Sequence, residues 1–443
     1  MMDRIVSRIE EFSRKISQNG IPEKNNEELK KRIADIVITS YGARNVEPVK
    51  IGINSLLPSS GNLNSTVFFT EKKASSDVAA FLNGTMTRYL DYNDTYLSKE
   101  ALHPSDNIPP LIAVAEATEK SCKDVLAAAN ISYEVVCSLS DQVSIRDRGW
   151  DHVTYISISS SAGIAHLMDL TGERYANAIN IGLNNNISMR QTRAGELSMW
   201  KGATAANACR NSLFGALLAR NGFSGPSPIF EGEMGFFKQV SGTFDITLDN
   251  SHVGKTMIKN FPVEYHAMSA AEASLSIRNK IEGNIKSIDV ETFTVANTII
   301  IKDPEKLKPK TRETADHSMP YIIAYTLVNG EPNPSSFDDK YLKDSKILSL
   351  IEKMRFKVTK EYDKLYPENL PFKISIKTDR GTYEEELIVP KGHYKKPYTW
   401  DDVVAKAQRV MSTESAKDLT DFCRSMENRG VDELIEVISS VHS

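Results

Sequence analysis

A change in the spacing of apolar residues near residue 266 constrains the fold of this chain more than any other feature. Up to about residue 265, Ala- and Leu-rich segments follow one another with apolar residues three and four positions apart, as in NNEELKKRIADIVITSYGA and KGATAANACRNSLFGALLARNG. Beyond it, FKISIKTDRG and TYEEELIVP alternate polar and apolar residues. The first spacing predicts helices and the second predicts strands. We therefore predict a mainly α protein with a smaller part that contains a sheet.

The helical spacing of apolar residues resumes at YTWDDVVAKAQRVM, so the sheet is predicted to lie in an insertion. We predict a large all-helical domain, residues 1–266 and 396–443, that contains both termini, and an inserted α+β domain at 267–395. Within the insertion, SIDVETFTVANTIII and MRFKVTKEY are predicted strands, and FKISIKTDRG and TYEEELIVP are a predicted hairpin around Asp379-Arg380-Gly381. HSMPYIIAYTLVNG is a predicted helix that ends at Gly330.

The composition is that of an ordinary soluble enzyme, with 443 residues, 40% apolar and 25% charged. A net charge of -4 gives no reason to expect a nucleic-acid partner. No apolar run approaches the ~20 residues that span a bilayer, and the acidic residues of MMDRIVSRIEEFSRK are unlike a secretory or transit peptide. We expect a cytoplasmic protein that binds neither nucleic acid nor membranes.

The cysteines and the missing motifs argue against a metal centre or a cofactor. Cys122, Cys137, Cys209 and Cys423 form no C-x-x-C pair, so neither a zinc ribbon, a disulfide framework nor an iron-sulfur cluster is indicated. The sequence shows no H-E-x-x-H pattern, no tight cluster of histidines and carboxylates, and no glycine-rich phosphate loop. We predict that the protein uses no metal and no cofactor.

The stretch LDYNDTYLSKEALHPSDN, residues 90–107, places four carboxylates and His103 just ahead of the predicted helix PPLIAVAEA. The free N–H groups at a helix start favour anions, and a nearby histidine carries protons at neutral pH. This segment is therefore a candidate active-site loop for a carboxylate ligand. The alternative is an ordinary capping loop, because Ser, Asp and Asn precede most helices.

Four other polar segments follow predicted elements and carry candidate site residues. Arg190 and Arg193 fall one helical turn apart and suit a shared anion, although an exposed salt-bridge face explains them equally well. Tyr321 equally suits a helix interface. The segments and their candidates are DRGWDHV with His152, SMRQTRAGELSMWKG with Arg190, Arg193 and Lys201, IKNFPVEYHAMSAAEA with Lys259 and His266, and ADHSMPY with His317 and Tyr321. The lysine-rich run at 302–317 is predicted to be a solvated loop, with the steering of anions as a weaker alternative.

Taken in order, these segments resemble the successive motifs of the MmgE/PrpD family. The motifs are DYNDT, HPSDN, DRGWDHV, GELSMWKG, the K-x-F-P-x-E-x-H of residues 259–266, and DHSMPY, and the resemblance runs from about residue 83 to residue 327. The family includes 2-methylcitrate dehydratase and cis-aconitate decarboxylase. The resemblance implies a large helical domain with a smaller α+β lid, a homodimer, and an active site between the two domains.

The resemblance also implies roles for individual residues. The basic segment here is LSMWKG, where the decarboxylase has a K-P-L-H-like sequence, and D-H-V and DHSMPY are closer to the dehydratases. This comparison favours dehydration of 2-methylcitrate to 2-methylaconitate. Asp91, Thr95 and His103 match polar residues of the first motif, His152 matches the histidine of the second, and Lys259, His266 and Tyr321 match the lysine, histidine and tyrosine of the later motifs.

Eliminating water from a tricarboxylate requires removal of a weakly acidic proton and protonation of the leaving hydroxyl. We predict that one of His103 and His152 is the base and that the other, or Tyr321, is the acid. Asp91 would orient a histidine, and Thr95 would hold a substrate oxygen. Lys259, Arg88, Arg190 and Arg193 would stabilise the developing charge, and Lys201, His266 and His317 are further predicted substrate contacts.

Three other enzymatic functions and one non-enzymatic function remain in competition. A cis-aconitate decarboxylase would release carbon dioxide, and a hydratase of citrate or aconitate would use the same elimination on another substrate. A related dicarboxylate isomerase or epimerase would need the proton carriers without a leaving group. A non-enzymatic carboxylate-binding protein would need no histidines at these positions.

Overall fold

The computed structural model of the protein describes residues 3–56, 64–195 and 197–441. Glu196 of the GELSMWKG motif lies outside the described residues. Before residue 260 the regular structure is mainly helical, with two short antiparallel pairs, β1 (Ser65–Thr66) with β2 (Lys73–Ala74) and β3 (Tyr96–Leu97) with β4 (Ala101–Leu102). The helices are α1 (Arg4–Asn19), α2 (Glu23–Ala43), α3 (Glu47–Leu56), α4 (Ser76–Tyr89), α5 (Ile108–Ala117), α6 (Cys122–Gln142), α7 (Val153–Leu167), α8 (Gly172–Asn184) and α9 (Thr204–Arg220).

Small residues allow these helices to pack closely. A Cβ atom at Gly182 of α8 would collide with the Ser161 hydroxyl of α7, and one at Gly163 of α7 would collide with the Ser132 hydroxyl of α6. Substitution of either glycine would therefore push two buried helices apart.

The remainder of the chain contains a four-stranded sheet in the order β6-β5-β7-β8, in which β5 and β6 are parallel and the other neighbours antiparallel. The elements are α10 (Met268–Arg278), β5 (Ile285–Thr292), α11 (Thr294–Ile300), α12 (Pro304–Leu307), α13 (Arg312–Ala315), α14 (Met319–Asn329), α15 (Asp339–Leu342), α16 (Ser345–Ile351), β6 (Met354–Val358), α17 (Lys360–Asp363), β7 (Phe372–Thr378), β8 (Thr382–Leu387), α18 (Trp400–Ala407), α19 (Thr413–Arg424) and α20 (Val431–Ser440).

The predicted elements of this part are confirmed with two exceptions, and one of these is the strand predicted over MRFKVTKEY, which ends at Val358 and is followed by α17. The β7–β8 hairpin turns at residues 379–381, and α14 begins after Ser318, whose hydroxyl accepts from the Tyr321 N–H, and ends at Gly330 with a φ of 95°. The strand predicted over SIDVETFTVANTIII is wrong beyond residue 292, where the chain turns into α11.

The buried apolar side chains form two clusters. The first contains residues between Ile5 and Ile258 and again between Tyr398 and Val441, and the second contains Leu97 and residues between Met257 and Ile376. The prediction of a mainly helical fold is confirmed. The domain boundaries at 266/267 and 395/396 stay a prediction, as does the description of the smaller part as a lid.

Candidate active site

A strongly cationic cavity lies where the two apolar clusters meet. Its wall includes Leu102 of the first cluster and Tyr265 of the second. Six Lys and Arg side chains line it against three carboxylates, and four histidines complete the polar wall. The lining groups are Arg88, Arg146, Arg190, Arg193, Lys259 and Lys306, then Asp91, Glu100 and Glu264, then His103, His152, His266 and His317. This excess of positive charge suits an anion that carries several negative charges.

Asp91 holds two of these cations in place. It follows α4 in the left-handed region, with a φ of 51° that is uncommon for a residue other than glycine and recurs at functional sites. Its carboxylate pairs with the Arg88 guanidinium, and Lys259 Nζ lies 3.2 Å from Oδ2 and donates to the Asp91 carbonyl at 2.8 Å. Burial raises the pKa of Asp91, but Lys259 and Arg88 outweigh it and hold the pKa well below its ordinary value. Asp91 therefore stays ionised and positions the two cations.

His103 is held as a neutral imidazole with its lone pair occupied. Its Nδ1 lies 2.7 Å from the carbonyl oxygen of Asp94, which only accepts hydrogen bonds, so Nδ1 carries the proton. Its Nε2 therefore accepts from Arg88 Nη2 at 2.9 Å. Burial, Arg88 and Lys259 hold the pKa of His103 well below 6.5. A proton acceptor that already receives a hydrogen bond from a guanidinium is poorly placed to remove a proton from carbon.

His152 differs from His103 because its Nε2 is free. The Nδ1 atom lies 3.4 Å from Oδ1 of Asp151, and Oδ2 of that carboxylate lies 2.9 Å from Arg193 Nε. The carboxylate beside Nδ1 favours the proton there and leaves the lone pair on Nε2, which is buried and has no hydrogen-bond partner among the described residues. Arg193 Nη2 is likewise buried and without a hydrogen bond there. Burial and Arg193 hold the pKa of His152 well below 6.5.

A buried triad supports the wall on the side of the second cluster. Lys201 Nζ lies 3.2 Å from Asp316 Oδ1 and 3.2 Å from His317 Nδ1, and His317 Nδ1 lies 2.5 Å from the same carboxylate oxygen. The carboxylate accepts a hydrogen bond from the Nδ1–H group. Nε2 of His317 is therefore the atom available to the cavity, and it lies 3.9 Å from Asp91. Burial and Lys201 lower the pKa of His317 to about 4, so this imidazole is neutral at neutral pH.

A second histidine on this side is bonded at both nitrogens. His266 Nδ1 lies 2.7 Å from Glu264, and its Nε2 lies 3.1 Å from the Tyr366 hydroxyl. Burial raises the pKa of Glu264, but His266 outweighs it and the pKa falls to about 2. Tyr366, which stacks on Phe293, thus connects the sheet-containing part to the cavity wall.

One cluster that could hold a metal ion lies elsewhere in the part of the chain that the structure describes. It consists of Glu134, Asp249 and His252, of which Glu134 is distant in sequence from the other two, so no local pattern indicated it. That the protein uses no metal stays a prediction. His252 lies 2.7 Å from Glu134 through Nδ1 and 3.2 Å from Asp141 through Nε2. Burial lowers the pKa of His252, but these two carboxylates outweigh it and raise it to about 9. The protonated imidazole therefore supplies the positive charge at this position.

Comparisons with known proteins identify the family. A model of the MmgE/PrpD N-terminal domain matches residues 7–249, and a model of the MmgE/PrpD C-terminal domain matches residues 261–421. The chain belongs to the MmgE/PrpD family. The resemblance inferred from the motifs is thereby confirmed.

Curated relatives of this MmgE/PrpD protein are named as dehydratases. The chain is 28% identical over 347 residues to a 2-methylcitrate dehydratase of Escherichia coli K12, with 72% of this chain and 71% of that protein covered. It is 29% identical to a mitochondrial 2-methylcitrate dehydratase of Yarrowia lipolytica, with 72% and 66% covered, and 27% identical to an alkylcitrate dehydratase of a fungal species, with 75% and 72% covered. These names confirm the prediction of an enzyme of the lyase class.

The matches to known proteins do not test the predicted oligomeric state or location. No helix among the described residues is long and apolar enough to cross a membrane. The homodimer and the cytoplasmic location stay predictions.

Ten of the twelve predicted site residues line the cavity of this family member, although their roles stay predictions. They are Arg88, Asp91, Thr95, His103, His152, Arg190, Arg193, Lys259, His266 and His317. The fold thus brings together side chains that are far apart in sequence.

Two predicted site residues do not line the cavity. The Tyr321 hydroxyl donates to the carbonyl of Ser336 at 2.8 Å, and its ring packs against Tyr325 and Phe337 in the second apolar cluster. Tyr321 thus lies in a helix interface, which is the alternative that the sequence allowed, and its role as an acid stays a prediction. Lys201 Nζ lies 3.2 Å from Asp316 and does not line the cavity, and its predicted substrate contact stays a prediction.

Four charged lining residues were not among the predicted site residues: Glu100, Arg146, Glu264 and Lys306. Glu264 and Arg146 lie within or beside motifs, so their positions were a usable signal. Lys306 lies in the run that was predicted to be solvated, yet only 5% of its surface is exposed. The local sequence carries no sign of this burial.

Proposed function

We propose that the protein is a 2-methylcitrate dehydratase that eliminates water from 2-methylcitrate to give 2-methylaconitate. The observation that carries this proposal is the cationic cavity in which Nε2 of His152 is buried without a hydrogen-bond partner. Such a site suits a polyanion from which a proton must be removed. The names of the relatives support the choice of substrate.

In this proposal His152 is the general base. A neutral imidazole with a free lone pair accepts the proton next to a substrate carboxylate. The pKa of His152 lies well below 6.5, so the base form dominates at neutral pH. His103 instead binds substrate and fixes Arg88, because its own Nε2 already accepts from that guanidinium.

The cations stabilise the charge that develops on the substrate. Loss of the proton places negative charge on the neighbouring carboxylate, and preorganised ammonium and guanidinium groups in a buried site stabilise such charge effectively. Arg88 and Lys259 are fixed by Asp91, and Arg193 is fixed by Asp151. The hydroxyl leaves as water because the His152 imidazolium, which holds the proton taken from carbon, returns a proton to the departing oxygen and becomes neutral again. Thr95 lies within the cavity wall to hold a substrate oxygen.

Product identification tests the proposal. Purified protein would be incubated in parallel with 2-methylcitrate, citrate and cis-aconitate, before and after chelator treatment, and the products would be separated and identified by NMR. We expect 2-methylaconitate from 2-methylcitrate, the same rate after chelation, and no carbon dioxide from cis-aconitate. Release of carbon dioxide would instead identify a decarboxylase. Recovery of all three acids unchanged would reject the enzymatic proposal.

A further inference from the structure

We propose that Lys306 binds one carboxylate of the substrate and makes the site selective for tricarboxylates over dicarboxylates. This inference rests on the proposed function and names a determinant of its substrate class. Lys306 lies in α12, lines the cavity and is 5% exposed. Its ammonium forms no ion pair and no side-chain hydrogen bond with any described residue, and only its backbone groups are bonded.

The other buried lysines of the described chain show that this is unusual. Each of them has a carboxylate partner: Lys30 pairs with Glu27, Lys201 with Asp316, Lys259 with Asp91 and Lys406 with Asp35. A buried ammonium without a partner is costly, so proteins normally pair it or neutralise it. Lys306 is thus the buried lysine whose ammonium would receive its negatively charged partner from a ligand.

Nearby carboxylates do not supply that charge. Burial lowers the pKa of Lys306, and Asp316, Asp303 and Glu264 act against this from a longer range. Asp316 is already bound by Lys201 and His317, and Glu264 is bound by His266. A ligand carboxylate next to Lys306 would make the hydrogen bonds that these groups do not make.

The position of Lys306 implies selectivity. Among the described Lys and Arg side chains that line the cavity, it alone comes from the chain beyond residue 266. Arg146, Arg190 and Arg193 come from the helical part and surround Asp151 and Glu100. A ligand that contacts Lys306 as well as these arginines must present more than one carboxylate. A dicarboxylate whose two carboxylates are both held by the other cations of the cavity would leave none for Lys306.

Binding measurements on Lys306→Met test this inference without relying on turnover. The probes are tricarballylate, a tricarboxylate with no hydroxyl to eliminate, and glutarate, a dicarboxylate, each titrated by calorimetry. Loss of one charge-assisted hydrogen bond is expected to weaken tricarballylate binding about 10- to 100-fold, and glutarate binding by less than about 3-fold. Lys306→Arg should recover part of the loss, and Lys308→Met, in an exposed position of the same run, should bind both acids as the wild type does.

A stability measurement separates ligand binding from a structural role. Because the Lys306 side chain is 5% exposed and its ammonium has no carboxylate partner among the described residues, Lys306→Met should leave the melting temperature of the ligand-free protein unchanged or raise it. With 2-methylcitrate, the variant should show a raised KM and a smaller change in kcat.

The outcomes distinguish this inference from the proposed function. The role of Lys306 is rejected, and the proposed function survives, if the wild type converts 2-methylcitrate and Lys306→Met does so with the same KM. The same holds if the substitution weakens the binding of tricarballylate and of glutarate equally. If the wild type neither binds tricarballylate nor converts 2-methylcitrate, both are rejected.

Discussion

Replacement of His152 by glutamine should abolish most of the activity while leaving the ligand bound. Glutamine removes the free lone pair of Nε2, and loss of a general base slows turnover about 10²- to 10⁴-fold, which corresponds to about 3–5 kcal/mol of activation free energy. The structural cost should be small. Nε2 has no hydrogen bond to lose, and Asp151 keeps its pairing with Arg193.

The assay compares kcat for 2-methylcitrate with calorimetric binding of tricarballylate. We expect binding by His152→Gln within about 3-fold of the wild type, since the cations that hold the carboxylates are untouched. His166→Gln is the matched control. His166 lies in α7, the helix that begins directly after His152, is bonded to Ser13 through Nδ1, and does not line the cavity. The reasoning is refuted if His152→Gln keeps more than about a tenth of the wild-type kcat, or if it loses tricarballylate binding along with turnover.

Three further predictions follow from the same contacts. First, because burial and cations hold the pKa of His152 and His103 below 6.5, the neutral base is present above that folded-state pKa and is lost only as the pH falls through it. The pH profile of kcat/KM should therefore be level from pH 7 down to about 6, and an acid limb centred at or above 6.5 would contradict this. Second, Lys201→Met leaves the buried Asp316 carboxylate without its ammonium and should destabilise the protein by about 3–5 kcal/mol, most of which Asp316→Asn restores in the double variant. Independent effects in chemical denaturation would reject that coupling. Third, Tyr321→Phe loses one hydrogen bond to a carbonyl and should cost about 1 kcal/mol of stability with kcat nearly unchanged; a tenfold or greater loss of kcat would return Tyr321 to the catalytic machinery.

The sequence allowed prediction of those elements whose signals are local. Strand β7 alternates polar and apolar residues ahead of the short turn into β8, and α14 carries both its cap, Ser318, and its terminating Gly330. The motifs indicated most of the cavity wall because each follows a helix end or a junction.

Features set by distant contacts escaped prediction. The run TVANTII is rich in β-branched residues and was predicted to extend a strand, but Asp363 accepts from the Thr294 N–H at 2.7 Å and from its hydroxyl at 2.8 Å and so caps α11 across 69 residues of sequence. The burial of Lys306 is likewise a tertiary effect. His103 and His152 differ as proton acceptors because Arg88 donates to Nε2 of His103, and no sequence pattern specifies this contact.

A crystal structure of His152→Gln with 2-methylcitrate tests the central claim most directly. The account predicts that the ligand occupies the cavity between the two apolar clusters, with carboxylates on Arg193 and on Lys306, and with the carbon that loses its proton facing residue 152. A ligand bound outside this cavity, or one whose reacting carbon faces away from residue 152, would contradict the account.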